Sequence, residues 1–370
     1  MEQILRPGIR ETGTRYARHA EASVGPAWFT SVMGTGILAI CAFISPLQMP
    51  PLRTAGVALF CIDVVLFAIF SALLAERLVR RPATLRQSLS DVAMAQAWGA
   101  PPMACFTVAV GFLRIGTTFL DPATCVAVAQ MLWIVGALGS VASAFVVPFL
   151  MFTTHELSLE NTYGSWLLPV VPPIVASVPA ALLLHTWPLA VQGSMLAVAY
   201  ALLGIGVLLA AILIVIFYSR LLYGKVPAPA FVPTMWLVLG PLGQSIAGFI
   251  ALGTVASAAW PALGHGLFIA GLAYGVVVWG FGTYWFAMAG AVTLRAIARA
   301  MPFTLGWWAF TFPVGTMTAG TYALYGITRA PIFLGFGALY LALLAIFWTI
   351  VVAHSLRHAR TSLVAAAAAA

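Results

Sequence analysis

The sequence predicts an all-α integral membrane protein of ten transmembrane helices, arranged as five helical hairpins. Three observations lead there. Mean hydropathy is +1.04 with only 7% charged residues, whereas a soluble domain carries about a quarter to keep its surface wet. Polar or turn-rich breaks divide the chain into ten apolar runs, each able to cross about 30 Å of hydrocarbon at about 1.5 Å per residue. Prolines inside those runs alternate along the chain, concentrated in the odd-numbered ones.

In order, the first span, Gly25 to Ile44, has Pro26 at its start and Gly34 and Gly36 inside. The second, Leu52 to Leu74, lacks proline and holds Asp63, the one acidic residue deep in a span. The third, Ala95 to Ile115, carries Pro101 and Pro102; the fourth, Thr124 to Leu150, has only Pro148 near its end. The fifth, Ser165 to Leu184, contains Pro169, Pro172, Pro173 and Pro179, and the sixth, Gln192 to Tyr218, none. The seventh, Val232 to Thr254, carries Pro241; the eighth, Leu263 to Ala291, none. The ninth, Thr304 to Gly326, carries Pro313, and the tenth, Pro331 to Ala353, has proline only as its first residue.

Proline removes a helical hydrogen bond and crowds the carbonyl four residues back. In lipid it survives where neighbours or a water-lined cavity satisfy that carbonyl. The alternation therefore predicts an inner ring of kinked odd-numbered helices around a central pore, and an outer ring of straighter even-numbered ones. The kink positions are Pro101, Pro102, Pro172, Pro173, Pro241 and Pro313. Small residues such as Gly34, Gly243 and Gly315 let the inner helices approach closely.

The transmembrane domain is expected over residues 25–353, with residues 1–24 and 354–370 as cytoplasmic segments. Arg53, Arg114 and Arg329 fall in loops of one parity, and every other Lys and Arg in loops of the other. The positive-inside rule then puts both termini in the cytoplasm, as an even number of spans requires. The polar stretch up to Ala22 has no short apolar core, so no cleaved signal peptide is expected, and the plasma (inner) membrane is the expected location. A net charge of +8, spread over all inward loops, argues against a nucleic-acid surface. Cys41, Cys61, Cys105 and Cys125 show no metal-ligand or redox spacing and read as buried thiols.

No Lys, Arg, Asp or Glu lies inside an odd span, with Arg114 at the outward end of the third. The path is nearly neutral. Its polar groups are Ser31, Thr35, Thr107, Ser177, Gln244, Ser245, Thr311, Thr316 and Thr318, together with backbone freed at the kinks. Half-helix N-termini favour anions without a lysine; against this, Ser and Thr hydroxyls commonly bond back to their own helix. Asp63, His155 and Glu156 are the candidates for proton coupling. HExxH is not completed, because position 159 is Leu, so no metal site is expected. No phosphate loop, nucleophile set or cofactor fingerprint appears, which argues against an enzyme or a closed membrane sensor. The alanine run Ala365 to Ala370 carries no argument.

The segments PAWFTSVMGTG (Pro26 to Gly36), SWLLPVVPPIVAS (Ser165 to Ser177), GPLGQS (Gly240 to Ser245) and PFTLGWWAFTFPVG (Pro302 to Gly315) resemble the tellurite-resistance/dicarboxylate-transporter family. That family includes plant slow anion channels and fungal malate and sulfite permeases. The resemblance runs through all ten spans, and WWAFTFP is its most specific piece. It implies the same hairpin ring, a pore in each protomer of a homotrimer, and a pore-blocking aromatic from the ninth helix. The matching residue is Phe312, with Thr311 in place of the motif's Ser and Phe310 on a neighbouring face. The first-helix signature, with Trp28 in PAWF, leans toward the malate/sulfite branch. The expected pore lining is Trp28, Thr35, Thr107, Ser177, Gln244, Thr311 and Thr316. The expected activity is passage of small anions, C4-dicarboxylates such as malate first, with sulfite, tellurite, nitrate or chloride as alternatives. Lipid and identical subunits are the expected partners, and no cofactor is expected.

Overall fold

The structure, a computed structural model, describes residues 25–369, with side chains described to residue 359. Residues 1–24, including Arg6, Arg10, Arg15 and Arg18, and the side chains of the terminal alanines lie outside the described residues. Among the described residues every regular element is a helix. In chain order these are α1 (Phe29–Phe43), α2 (Pro50–Arg80), α3 (Ala83–Ser90), α4 (Val92–Gln96), α5 (Ala100–Arg114) and α6 (Pro122–Thr153). There follow α7 (Pro172–Val175), α8 (Ser177–Leu183), α9 (Leu189–Gly224), α10 (Leu239–Ala259), α11 (Gly264–Ile297), α12 (Phe312–Thr328) and α13 (Pro331–Ala369). The last helix runs on through the segment expected to be a tail.

Among the described residues eight helical stretches are long and apolar enough to cross a bilayer. The fifth and ninth predicted spans fall outside that set because the chain breaks them. The fifth runs through a 3-10 turn at Gly164–Leu167, the short α7 and α8, and another 3-10 turn at Leu184–Thr186. The ninth opens with a 3-10 segment, Leu305–Phe310, and becomes α-helical only at Phe312.

The prolines explain where these changes fall. The sequence reading has them as kinks inside continuous helices. Instead Pro101 and Pro102 open α5, Pro172 and Pro173 open α7, and Pro313 is the second residue of α12. Pro241 is the third residue of α10, which follows a ten-residue 3-10 stretch, Pro229–Val238. In the first turn of a helix the missing N–H has no partner to lose, and the fixed φ suits the helix. Proline here sets the switch from 3-10 to α winding.

Burial divides the helices sharply. In the most apolar window of each, 72% of Pro26–Phe43, 72% of Val92–Thr118 and 78% of Pro229–Ala259 is buried. The corresponding share is 11% for α2, 33% for α6, 33% for α9, 17% for α11 and 28% for the tenth-span helix. These exposed helices present Val65, Leu138, Phe145, Leu208 and Val277 outward, as a lipid-facing surface requires. Each buried segment packs on the exposed helix that follows it: α1 on α2, α5 on α6, α7 and α8 on α9, α10 on α11, α12 on α13. Contacts among the buried segments run from α1 to α5, on to α7 and α8, to α10, to α12 and back to α1.

Close approach rests on missing side chains. A Cβ at Gly243 would overlap the α12 backbone at Thr316 and Met317, and one at Gly99 would overlap the carbonyl of Leu168. Lipid supplies no hydrophobic drive between helices, so such backbone contact is what holds the buried segments together.

Candidate anion pathway

Two cavities lie among the buried segments. The smaller, about 110 Å³, is lined by Met33, Met103, Val171, Leu237, Trp308 and Pro313, with hydroxyls from Thr30, Ser165 and Thr234. The larger, about 580 Å³, is lined by the C-terminal halves of the same five segments, including Ile37, Thr107, Val178, Gln244 and Tyr322. Phe312 lines both, and no other described residue does. The residue is buried, 5% exposed, at the one position the two linings share.

Local chain geometry puts it there. Thr311 closes the 3-10 segment, its N–H donating to the Trp308 carbonyl at 3.1 Å and its hydroxyl to the same oxygen at 2.7 Å. Gly315 then donates to Thr311 at 3.0 Å, so α winding starts at Phe312. Pro313 cannot donate to the Ala309 carbonyl, and Ala309 lines the smaller cavity. Three α segments begin at that cavity's wall: Val171 precedes α7, Gly240 lies in the first turn of α10, and Phe312 and Pro313 open α12.

Of the other residues expected to line a pore, only Thr107 and Gln244 reach a cavity. Phe310 packs away, edge-on to Trp236 at 5.5 Å and Trp307 at 5.9 Å. Trp28 packs on Phe70 of α2 at 5.7 Å. Thr35 accepts from Trp348 Nε1 at 3.0 Å. Ser177 donates to the Ile174 carbonyl at 2.6 Å, and Thr316 to those of Pro313 at 2.7 Å and Leu239 at 3.2 Å. Thr107 donates to the Met103 carbonyl at 2.9 Å, leaving its lone pairs to the larger cavity. The hydroxyls mostly serve helix backbone. Gln244 differs: it faces the larger cavity and its amide has no protein hydrogen bond among the described residues.

The proton-coupling candidates are not brought together. Both Asp63 carboxyl oxygens are buried without a hydrogen bond, against the Gly36 backbone of α1. His155 Nε2 lies 3.0 Å from the Leu89 carbonyl, past the far end of α6, with Nδ1 buried and unpartnered; Glu156 is exposed. No group of three or more metal-type side chains occurs among the described residues.

Sequence reasoning treats the vestibule's charges only as topology signals. Arg114, the last residue of α5, and Arg329, just after α12, both line the larger cavity. The signal was available: both close segments that the proline pattern places inside.

Buried segments that enclose two cavities with one aromatic residue in both linings are an arrangement that a transporter or channel can use. The voltage-dependent anion channel family model, SLAC1, matches residues 23–356, and the chain belongs to that family, as a multi-pass anion transporter. The chain is 32% identical over 365 residues to the sulfite efflux pump SSU1 of Trichophyton rubrum, covering 93% of this chain and 94% of that one. It is 29% identical over 341 residues to an uncharacterized transporter of Methanocaldococcus jannaschii, covering 90% and 93%. It is 23% identical over 340 residues to the malic acid transport protein of Schizosaccharomyces pombe, covering 87% and 75%.

Proposed function

We propose that this chain carries small oxyanions across the membrane, sulfite first and C4-dicarboxylates such as malate second, along the line of the two cavities, with Phe312 as the gate. The order of substrates reverses the sequence expectation. It rests on the sulfite efflux pump being nearer in sequence than the malic acid transport protein. The observation that carries the gate is that Phe312 alone lines both cavities. Rotation of one ring would join them. The pathway lies inside five hairpins, supported by the closed circuit of contacts among buried segments and by the outward helix that follows each. By the basic-residue bias the larger cavity opens away from the cytoplasm, both termini lie inside, and the plasma membrane is the site of action. The assembly is a homotrimer with one path per protomer.

Tracer flux into proteoliposomes tests this. Phe312→Ala is expected to raise sulfite and malate flux; unchanged flux for every anion would remove Phe312 from the mechanism. Asp63 supports a second, proton-coupled reading, because a buried carboxyl with no hydrogen bond is costly in lipid and is retained for function. Coupled transport changes lumenal pH as anion enters, and Asp63→Asn abolishes that change while uncoupled flux persists. A lumenal pH that follows membrane potential alone rules coupling out.

A further inference from the structure

Among the described residues the only charged ones that line either cavity are Arg114 and Arg329, both in the larger. Neither forms an ion pair among the described residues. In the turns at that end the only acidic residue is Asp121. Its carboxylate is engaged as the N-cap of α6, accepting from the Thr124 N–H at 2.9 Å and hydroxyl at 3.0 Å. Two exposed arginines therefore line one space without a counter-ion among the described residues.

The backbone is shaped to keep one of them there. Arg329 closes α12 in the left-handed region, at φ 55°, its N–H donating to the Tyr325 carbonyl at 2.9 Å. That position ordinarily goes to Gly or Asn, since a Cβ is strained in it. The guanidinium lies 5.7 Å from the Tyr325 ring centroid, and Tyr325 lines the same cavity. Gln48, at φ 51°, lines it too. Two of the four left-handed non-glycine residues among those described thus stand around this one space. Strained backbone of this kind marks functional sites.

We propose that Arg114 and Arg329 make the larger cavity a capture site for doubly charged small anions, sulfite dianion or a C4-dicarboxylate, with the free Gln244 amide as a further donor deeper in. The inference rests on the transport reading above and adds its charge selectivity. Guanidinium suits this task because its planar fork matches carboxylate and oxyanion edges and never loses its charge.

Coulomb energy is proportional to ligand charge. Removing one arginine therefore costs a dianion twice the logarithm that it costs a monoanion: a loss of about threefold for nitrate implies about tenfold for malate. Tracer exchange at zero potential in proteoliposomes, which is independent of protein orientation, measures both. The variants are Arg114→Gln, Arg329→Gly and Arg329→Lys. Arg329→Gly relieves the left-handed strain, so its thermal midpoint is expected at or above wild type while malate exchange falls; a purely structural residue would not separate these. Arg329→Lys is expected to keep the malate-to-nitrate ratio. Raising an inert salt from about 0.01 M to about 1 M shrinks the screening length from about 30 Å to about 3 Å, and should erase the difference between wild type and Arg329→Gly. Equal losses for malate and nitrate, or no loss, overturn the capture site even where Phe312→Ala raises flux. Failure of Phe312→Ala with the charge ratio intact overturns the gate instead.

Discussion

The two cavities on either side of Phe312 are built from the same five segments and differ in almost everything else. On one side the walls come from 3-10 turns and helix starts, and the side-chain polar contribution is three hydroxyls. On the other they come from regular α-helix and carry two arginines, a free glutamine amide and two tyrosines. The volumes differ by about fivefold, 110 Å³ against 580 Å³. On the function proposed above, the difference teaches that gathering anions and controlling their passage are separated along the path. The arginines line the wider space, and the residue common to both linings, Phe312, is neutral. A charge at the narrows would bind tightly and slow release.

The strongest way to break this comparison is to remove the wall between the cavities. Flux is expected to fall in the order Phe312→Ala, Phe312→Leu, wild type, Phe312→Trp. The alanine variant should exceed wild type by about tenfold, equivalent to about 1.4 kcal/mol from the barrier. Any order that does not follow side-chain volume, in the same tracer assay, argues that the ring is structural filling.

Much of the fold is legible in the sequence, and for a physical reason. Hydrocarbon leaves the chain no choice but helices, and proline restricts where they break. What is not legible is how each break is made. The switch from 3-10 to α winding at Phe312 depends on which carbonyls neighbouring segments leave open, and Thr311 settles it by bonding Trp308 twice. Phe312 itself is visible only through the WWAFTFP motif, because a phenylalanine in an apolar run looks like any core residue. Thr35, Ser177, Thr311 and Thr316 look like pore hydroxyls yet spend their hydrogen bonds within the protein. Arg114 and Arg329 are far apart in the chain, so only the fold shows that they face one cavity.

A smaller effect sharpens the account of the wide side. Gln244→Leu removes the unpartnered amide from the larger cavity. No protein group loses a hydrogen bond, so stability should hold, within about 0.5 kcal/mol of wild type. Malate and sulfite exchange should fall by about two- to fivefold, the worth of about 0.5–1 kcal/mol of hydrogen bonding. A drop in thermal midpoint with unchanged flux would make Gln244 a packing residue.

The smallest effect concerns Asp121, whose engagement with Thr124 leaves the arginines as the uncompensated charges of that end. The Thr124 N–H and hydroxyl hold its carboxyl below the usual carboxylate range. A depressed folded-state value means that the cap stabilises the protein fully above the ordinary carboxylate range, and that this contribution is lost as pH falls through the depressed value. Asp121→Asn keeps a capping oxygen without a titrating group. The difference in thermal midpoint between wild type and Asp121→Asn should therefore shrink toward acid pH, while the malate-to-nitrate exchange ratio at neutral pH rises slightly, because the variant removes a negative charge from the arginine end. A large rise instead would place Asp121 against the arginines as their counter-ion and return the wild-type wide cavity to neutrality.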